Sequence, residues 1–314
     1  MLEGIKQILT FLSTPHRFLR YLTFHDFTRM TKYMAFSGEK RKTAELRILC
    51  HSIEKAFAIH RTKRDFGATK VRSIIKILQV HRETIDPWLF DYAKDILAAY
   101  YAYRCQEGLD ASFIPHEFIS TSGHGKCTKM YGAEQISQAD CFEHFARSRH
   151  SSRFFGKEPV SSDLIKRAIG IAQTAPSACN RQSTAVYAVT NKHKIQQIMD
   201  MHRGTSGIEK PAVLMVLTGD LGYYINEYER HTVFYDGGIF AMNLLYSLHS
   251  FKIATIPIIW GSIPENDSKL RLICHIPNNE TIVGLILAGH FPAHPFPVAQ
   301  SRRKPLDRVL KIIE

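Results

Sequence analysis

Arg149-His150-Ser151-Ser152-Arg153-Phe154-Phe155 places two guanidiniums, an imidazole and two hydroxyls within five positions. A second stretch, Ala175-Pro176-Ser177-Ala178-Cys179-Asn180-Arg181-Gln182, reads as a Pro/Ser/Asn turn with polar groups on both sides. The guanidinium fork matches phosphate oxygens. Between the two stretches, Val160 to Thr174 reads as one amphipathic helix. Leu164, Ile165, Ala168, Ile169 and Ala172 form its apolar stripe, Ser161 or Ser162 its N-cap, and Asp163 falls in its first turn. Polar loops at both ends of one helix point to a ligand that is anionic at one end and planar or polar at the other. Plainer uses stand beside this: Arg149 and Arg153 as surface cations, Asn180 as a turn former, and Arg302 and Arg303 as solvated charges.

The elements around these stretches follow from periodicity. Strands are expected at 185–190, 212–217, 253–260 and 282–287, with helices from Asn191 to Met201, around Phe240 to Leu248, and from Pro264 to Cys274. Strands alternating with helices imply an α/β or α+β layer sandwich. Pro257 within a strand pattern implies an edge, a bulge or a ligand close to the backbone. The first third reads as all-helical: short amphipathic helices over 2–36 broken near Pro15, a polar break at Gly38 to Lys42, and helical spacing at Leu46, Leu49, Ile53, Phe57 and Val71, Ile74, Ile75, Leu78. Pro87 opens a further helix to about Arg104. His51 and Glu54 share a helix face, where an intrahelical contact is a better use than metal binding, for want of a second His/Glu pair. Ser120 to Gly132 reads as an exposed loop. Its Gly123-His124-Gly125-Lys126-Cys127-Thr128 imitates a phosphate loop, but Ser120 replaces the first glycine and Cys127 the metal-binding hydroxyl. A terminal helix is expected after Ser301-Arg302-Arg303-Lys304-Pro305.

Composition narrows the class. The chain of 314 residues can bury a large core. No apolar run is long enough to span a bilayer, and the N-terminus lacks the pattern of a secretory signal. Six cysteines without a C-x-x-C pair argue against a zinc ribbon, a redox dithiol or a disulfide framework. The net charge of +12 is concentrated: residues 1–82 hold 17 Lys and Arg against 6 Asp and Glu, the rest 24 against 23. That basic segment could contact an anionic surface or a membrane, or simply be a solvated face. A cytoplasmic protein that could sit at a membrane periphery is expected.

Residues 142–312 resemble the FMN-dependent nitroreductase superfamily. The matching pieces are Arg-His-Ser-x-Arg-x-Phe, the following helix, Ala-Pro-Ser-x-x-Asn-x-Gln, the central helix after Asp236-Gly237-Gly238, Ile-x-Gly-x-x-x-x-Gly-His over 282–290, and the closing Arg-Lys-Pro-Leu. The resemblance implies an α+β fold, a three-layer α/β/α sandwich around a mostly antiparallel sheet, as an FMN-binding domain over 140–314. A helical extension over 1–139 precedes it. With His51-Ser52-Ile53-Glu54-Lys55 and Asp65-Phe66-Gly67, that extension is similar to those of nitroreductase-like proteins of polysaccharide gene clusters. The family is a homodimer with FMN at the subunit interface, and no nucleic-acid partner is expected. Carried onto this chain, Arg149 and Ser151 would face the phosphate and ribityl chain. Arg303 and Ser301 would clamp the phosphate, and Arg153 would sit at the flavin pyrimidine edge. Pro176, Ser177, Asn180 and Gln182 would form a second wall, with Pro176 and Ser177 reaching the partner's flavin. Thr255, Ile256 and Pro257 would run along the ring, and His150 would be structural or touch FMN. The implied activity is a ping-pong transfer of two electrons from NAD(P)H to an organic acceptor, with no protein nucleophile and no metal. The alternative is a flavoprotein of this fold serving as a binding or scaffold component, or acting on a sugar or lipid-linked substrate of envelope polysaccharide synthesis. Two departures fall near the ring: Ser183-Thr184 replaces the family's frequent Pro-Trp, and Ser250-Phe251-Lys252-Ile253 its Leu-Gly-Leu-Gly.

Overall fold

The computed structural model describes residues 17–34, 38–58, 64–119, 139–261, 263–296 and 305–314. The expected helix before Pro15, the whole Ser120 to Gly132 loop with its phosphate-loop imitation, and Ser301 and Arg303 lie outside them. A four-stranded sheet runs in the order β1-β2-β4-β3, every neighbour antiparallel, from β1 (Thr184–Val189), β2 (Val213–Asp220), β3 (Ile253–Ile259) and β4 (Glu280–His290). Successive side chains of β2 point to opposite faces, as a strand period of two requires. Leu214 and Val216 meet Ile195, Ile198 and Leu270, whereas Val213, Met215 and Leu217 meet Ala168, Leu244 and Leu248. Two apolar layers against two helical layers make a three-layer α/β/α sandwich, an α+β fold.

Helices in chain order among the described residues are α1 (Arg17–Tyr33), α2 (Gly38–Ala58), α3 (Ala68–Val80), α4 (Pro87–Gln106), α5 (Ala139–Ser148), α6 (Ser162–Ala172), α7 (Lys192–Met201), α8 (Thr232–Ser250) and α9 (Pro264–Cys274). Their starts carry the expected chemistry. Ser161 Oγ accepts from Leu164 N at 3.2 Å, and Asn191 Oδ1 from His193 N and Lys194 N. Asp86 caps α4 with Pro87 following, and Pro264 opens α9. Gly237 in α8 is a close approach to β4: a Cβ there would stand 2.8 Å from Val283 Cγ2.

Helices α2, α3 and α4 enclose a second core of Leu46, Ile53, Ile74, Leu78, Leu89, Ile96, Leu97 and Tyr100. Each fully buried Leu or Ile contributes about 1.5–3 kcal/mol. The His51 and Asp65-Phe66-Gly67 motifs serve this bundle. His51 Nδ1 lies 3.2 Å from Glu54 Oε2, which also accepts from Tyr92 OH at 3.0 Å. Arg104 Nη1 pairs with Asp65 at 2.5 Å, Tyr100 OH donates to Phe66 O, and Gly67 has φ +73 where a Cβ would press on Ile53.

Two expectations are corrected. Gly38 to Lys42 is the first turn of α2 rather than a break. No helix follows Pro305: Leu306–Arg308 is a single 3-10 turn and the remainder is irregular, with Leu306, Val309, Leu310, Ile312 and Ile313 exposed. So short a helix is marginal without an apolar surface to cover, and among the described residues none buries these side chains.

Candidate functional site

After α5 the chain runs out along the free edge of β3. Ser151 forms an isolated parallel bridge with Thr255, and Ser152 N donates to Thr255 O at 2.9 Å. Ser152, almost fully buried, ties its own turn through Oγ to Phe154 N and O. Beyond it Glu209 N donates to Arg153 O, Glu209 Oε2 accepts from Phe155 N, and Gly156 N donates to His290 O. Sequence-distant Ser151 and Thr255 are thus brought side by side. Pro257 sits on an edge strand, where a missing N–H costs nothing.

This corner is cationic. Arg149 Nη1 is buried with no hydrogen-bond partner, and among the described residues no carboxylate lies within ion-pair distance of Arg149, His150 or Arg153. His249, at the end of α8, approaches Ser148 Oγ at 2.8 Å through Nε2 and packs on Phe145 at 4.9 Å between ring centres. Burial lowers its pKa, and the charges of Arg149 and His150 lower it further. A buried orphan donor costs about 1–3 kcal/mol. A bound anion would remove that cost, so the donor set fits a phosphate. His150 and Arg153 are exposed, and Ser151 half-buried.

The Ala175–Gln182 turn is built differently. Cys179, Asn180 and Gln182 all have φ between 51 and 54, each without being glycine. Such residues cost about 1–3 kcal/mol apiece and persist only where the surroundings over-determine them. Here Asp236 Oδ1 accepts from Ala178 N at 3.0 Å, Ser177 Oγ accepts from Gln182 N at 3.0 Å, and Asn180 Oδ1 accepts from Gln182 Nε2 at 3.3 Å. Arg181, only 1% exposed, donates to Ala178 O, Tyr223 O and Glu229 Oε1 at 3.0, 3.2 and 2.6 Å. Tyr224 OH donates to Asp236 Oδ2 at 3.0 Å, so the 2.7 Å contact has Ser183 Oγ donating to Tyr224. Burial pushes the Tyr224 hydroxyl up, with Asp236 adding to the rise, and it stays a donor. Pro176, Ser177, Gln182, Thr184, Asp236 and Phe240 line a cleft of about 80 Å³, well short of the roughly 300 Å³ at which ligand sites begin.

Thr184 begins one edge strand and Thr255 lies on the other. Three strand spacings, about 14 Å, part the two edges. The two polar stretches therefore lie by opposite edges of the sheet and do not meet within one chain. Sequence reasoning missed Arg181, Asp236, Tyr224, Glu229 and His249. Asp236 was within reach through its Asp-Gly-Gly motif; the others leave no local signal. The glycine-poor Phe251-Lys252 departure is accommodated by Lys252 taking φ +56 just past α8, the conformation a glycine adopts freely.

Residues 146–205 match the model of the Nitroreductase family. Human iodotyrosine deiodinase 1 is 24% identical over 211 residues, covering 56% of this chain and 70% of the relative. An NADH dehydrogenase of Thermus thermophilus is 24% identical over 196 residues, covering 52% and 92%. Among solved structures, a nitroreductase-like protein from Streptococcus mutans aligns with TM-score 0.48 at 22% identity, covering 56% of this chain and 98% of its own. A protein assigned as a nitroreductase from Desulfovibrio desulfuricans, in complex with FMN, aligns with TM-score 0.47 at 21% identity, covering 55% and 96%. The match to the Nitroreductase family model falls within the sandwich unit, which is preceded here by a helical N-terminal region.

Proposed function

We propose that this protein is an FMN-dependent oxidoreductase that passes two electrons from NAD(P)H to an organic acceptor, working as a homodimer with FMN between the subunits. The observation that carries the reading is the buried, partnerless Nη1 of Arg149 in a corner without carboxylates. FMN supplies the hydride acceptance and two-electron release. The chain's own residues bind and orient. Arg149 and Ser151 hold the phosphate and ribityl chain, joined by Ser301 and Arg303, which lie outside the described residues. Arg153 offers its exposed cation to the pyrimidine edge, where fixed positive charge stabilises added negative charge. His150 stands beside Arg149, Thr255 holds the strand edge on which Ser151 is mounted, and Ile256 and Pro257 carry that edge along the ring.

The partner's Pro176–Gln182 turn supplies the second wall: Pro176 and Ser177 cover one side, and Asn180 and Gln182 fix their backbone. Two half-sites on opposite sheet edges, and an exposed apolar tail over 305–314, support the dimer. The relatives' names, NADH dehydrogenase among them, support redox chemistry with a nicotinamide donor. The sandwich over 140–314 is read as the FMN domain and 1–139 as its extension. The test is a visible spectrum of the purified protein given FMN. Flavin absorption that NAD(P)H bleaches without oxygen is expected. Failure to take up FMN would sink the reading, and bound FMN that NAD(P)H leaves oxidised would sink the donor.

A further inference from the structure

The α2 helix of the N-terminal region packs directly against the strained Cys179–Gln182 turn and against the Leu221–Tyr223 turn beside it. Its Arg47 is 8% exposed, and among the described residues no carboxylate lies within ion-pair distance of it. The guanidinium lies 5.2 Å from the Trp88 ring and 5.0 Å from the Tyr223 ring, and Nη1 donates a long hydrogen bond, 3.4 Å, to Arg181 O. Cation–ring contacts of this kind are strengthened by desolvation. The Arg181–Gln182 peptide is therefore held at both ends: its carbonyl by Arg47, its N–H by Ser177 Oγ. The residues flanking Arg181, Asn180 and Gln182, both have positive φ. Arg181 meanwhile grips Tyr223 O, the backbone of the same residue whose ring receives Arg47. Two buried arginines, one from each unit, thus close around one tyrosine and one strained turn.

We infer that Arg47 is a positioning residue for the second wall of the site, so that the N-terminal helical region is a built part of that wall rather than an appended module. This rests on the proposed flavin site only for its functional consequence; the mechanical claim stands apart from it. The amides of Ala178, Asn180, Arg181 and Gln182 are all hydrogen-bonded, which makes hydrogen exchange on the full-length protein without FMN the direct readout. Arg47→Met keeps the apolar stem and removes the guanidinium. Exchange at Asn180 to Gln182 is expected to quicken about tenfold while the β2 amides Leu214 to Leu217 keep their protection. Arg47→Lys, which retains a cation near the rings, should restore part of the difference. FMN affinity, read by quenching of flavin fluorescence, should weaken about tenfold in Arg47→Met. Turn amides that exchange as in the wild type overturn the inference. So does an equal quickening at β2, which would make Arg47 a general stability residue; Trp88→Leu, milder because it removes one ring, repeats the comparison. If wild-type protein takes up no FMN, the functional reading fails while the exchange result still decides this inference.

Discussion

The two halves of the candidate site use polar groups in opposite ways. At the β3 edge, Arg149 keeps a buried donor without a protein partner, and the backbone from Arg149 to Phe155 has no positive φ. At the β1 edge, three non-glycine residues are held in left-handed conformations, and Arg181, Asp236, Ser177 and Tyr224 are paired within the protein. The first half carries a buried charge that no protein acceptor engages. The second supplies shape, and needs its polar groups for itself. A side chain of the first kind can be removed without unfolding anything, because nothing in the protein relies on it. Removing one of the second kind should disturb the fold before it disturbs binding.

That contrast can be broken by substitution. Arg181→Met should destabilise the protein by about 3–5 kcal/mol in urea unfolding, because it leaves the half-buried Glu229 carboxylate without its ion pair. Acid should imitate it. Burial alone would raise the Glu229 pKa, but Arg181 and the Ile225 and Asn226 amides outweigh burial and hold it below the ordinary 4.5. The folded value lies under the unfolded one, so this stabilisation is present above about pH 4.5 and is lost as pH falls through the folded value. Wild-type stability should drop across that window, and Arg181→Met much less; equal acid sensitivity in both would break the assignment. Arg149→Gln should do the reverse: FMN binding weaker by about a hundredfold, from loss of a charge-assisted contact, with the urea midpoint unchanged. A marked loss of stability in Arg149→Gln would erase the contrast between the halves.

Two smaller effects sharpen it. Deleting residues 305–314 removes five exposed apolar side chains from the tail. Under the proposed shared site, sedimentation should then show dimer dissociation strengthened about tenfold, with FMN affinity falling in parallel. Tail deletion without any shift in assembly would place the second wall elsewhere. Lys252→Gly should raise stability by about 1 kcal/mol, because only the left-handed penalty changes. A loss instead would mean that the Lys252 side chain, not its backbone, matters there.

Periodicity and capping chemistry carried most of the fold. Asp86-Pro87, Ser161, Asn191 and Pro264 start helices where the sequence says they should, because a cap depends on atoms within three residues of itself. The tail after Pro305 was misread as a helix for the converse reason. Its apolar spacing is helical, but a helix that short needs a surface to lie on, and that surface is not local. His51 with Glu54, spaced like a metal pair, proved legible as an intrahelical contact, with Tyr92 arriving from a helix 38 residues away.

By itself the sequence determined the residue types: cations and hydroxyls at 149–153, a Pro/Ser/Asn turn at 175–182, and strands and helices in alternating order. Tertiary structure decided which of them meet. Antiparallel pairing in the order β1-β2-β4-β3 puts Thr184 and Thr255 on opposite edges, so the two polar stretches come to lie apart. It also brings Arg47, Tyr223, Glu229 and Asp236 around a turn none of them adjoins in sequence. Buried polar groups must find partners wherever the fold offers them, and the strand order that makes the offer is a property of the whole chain.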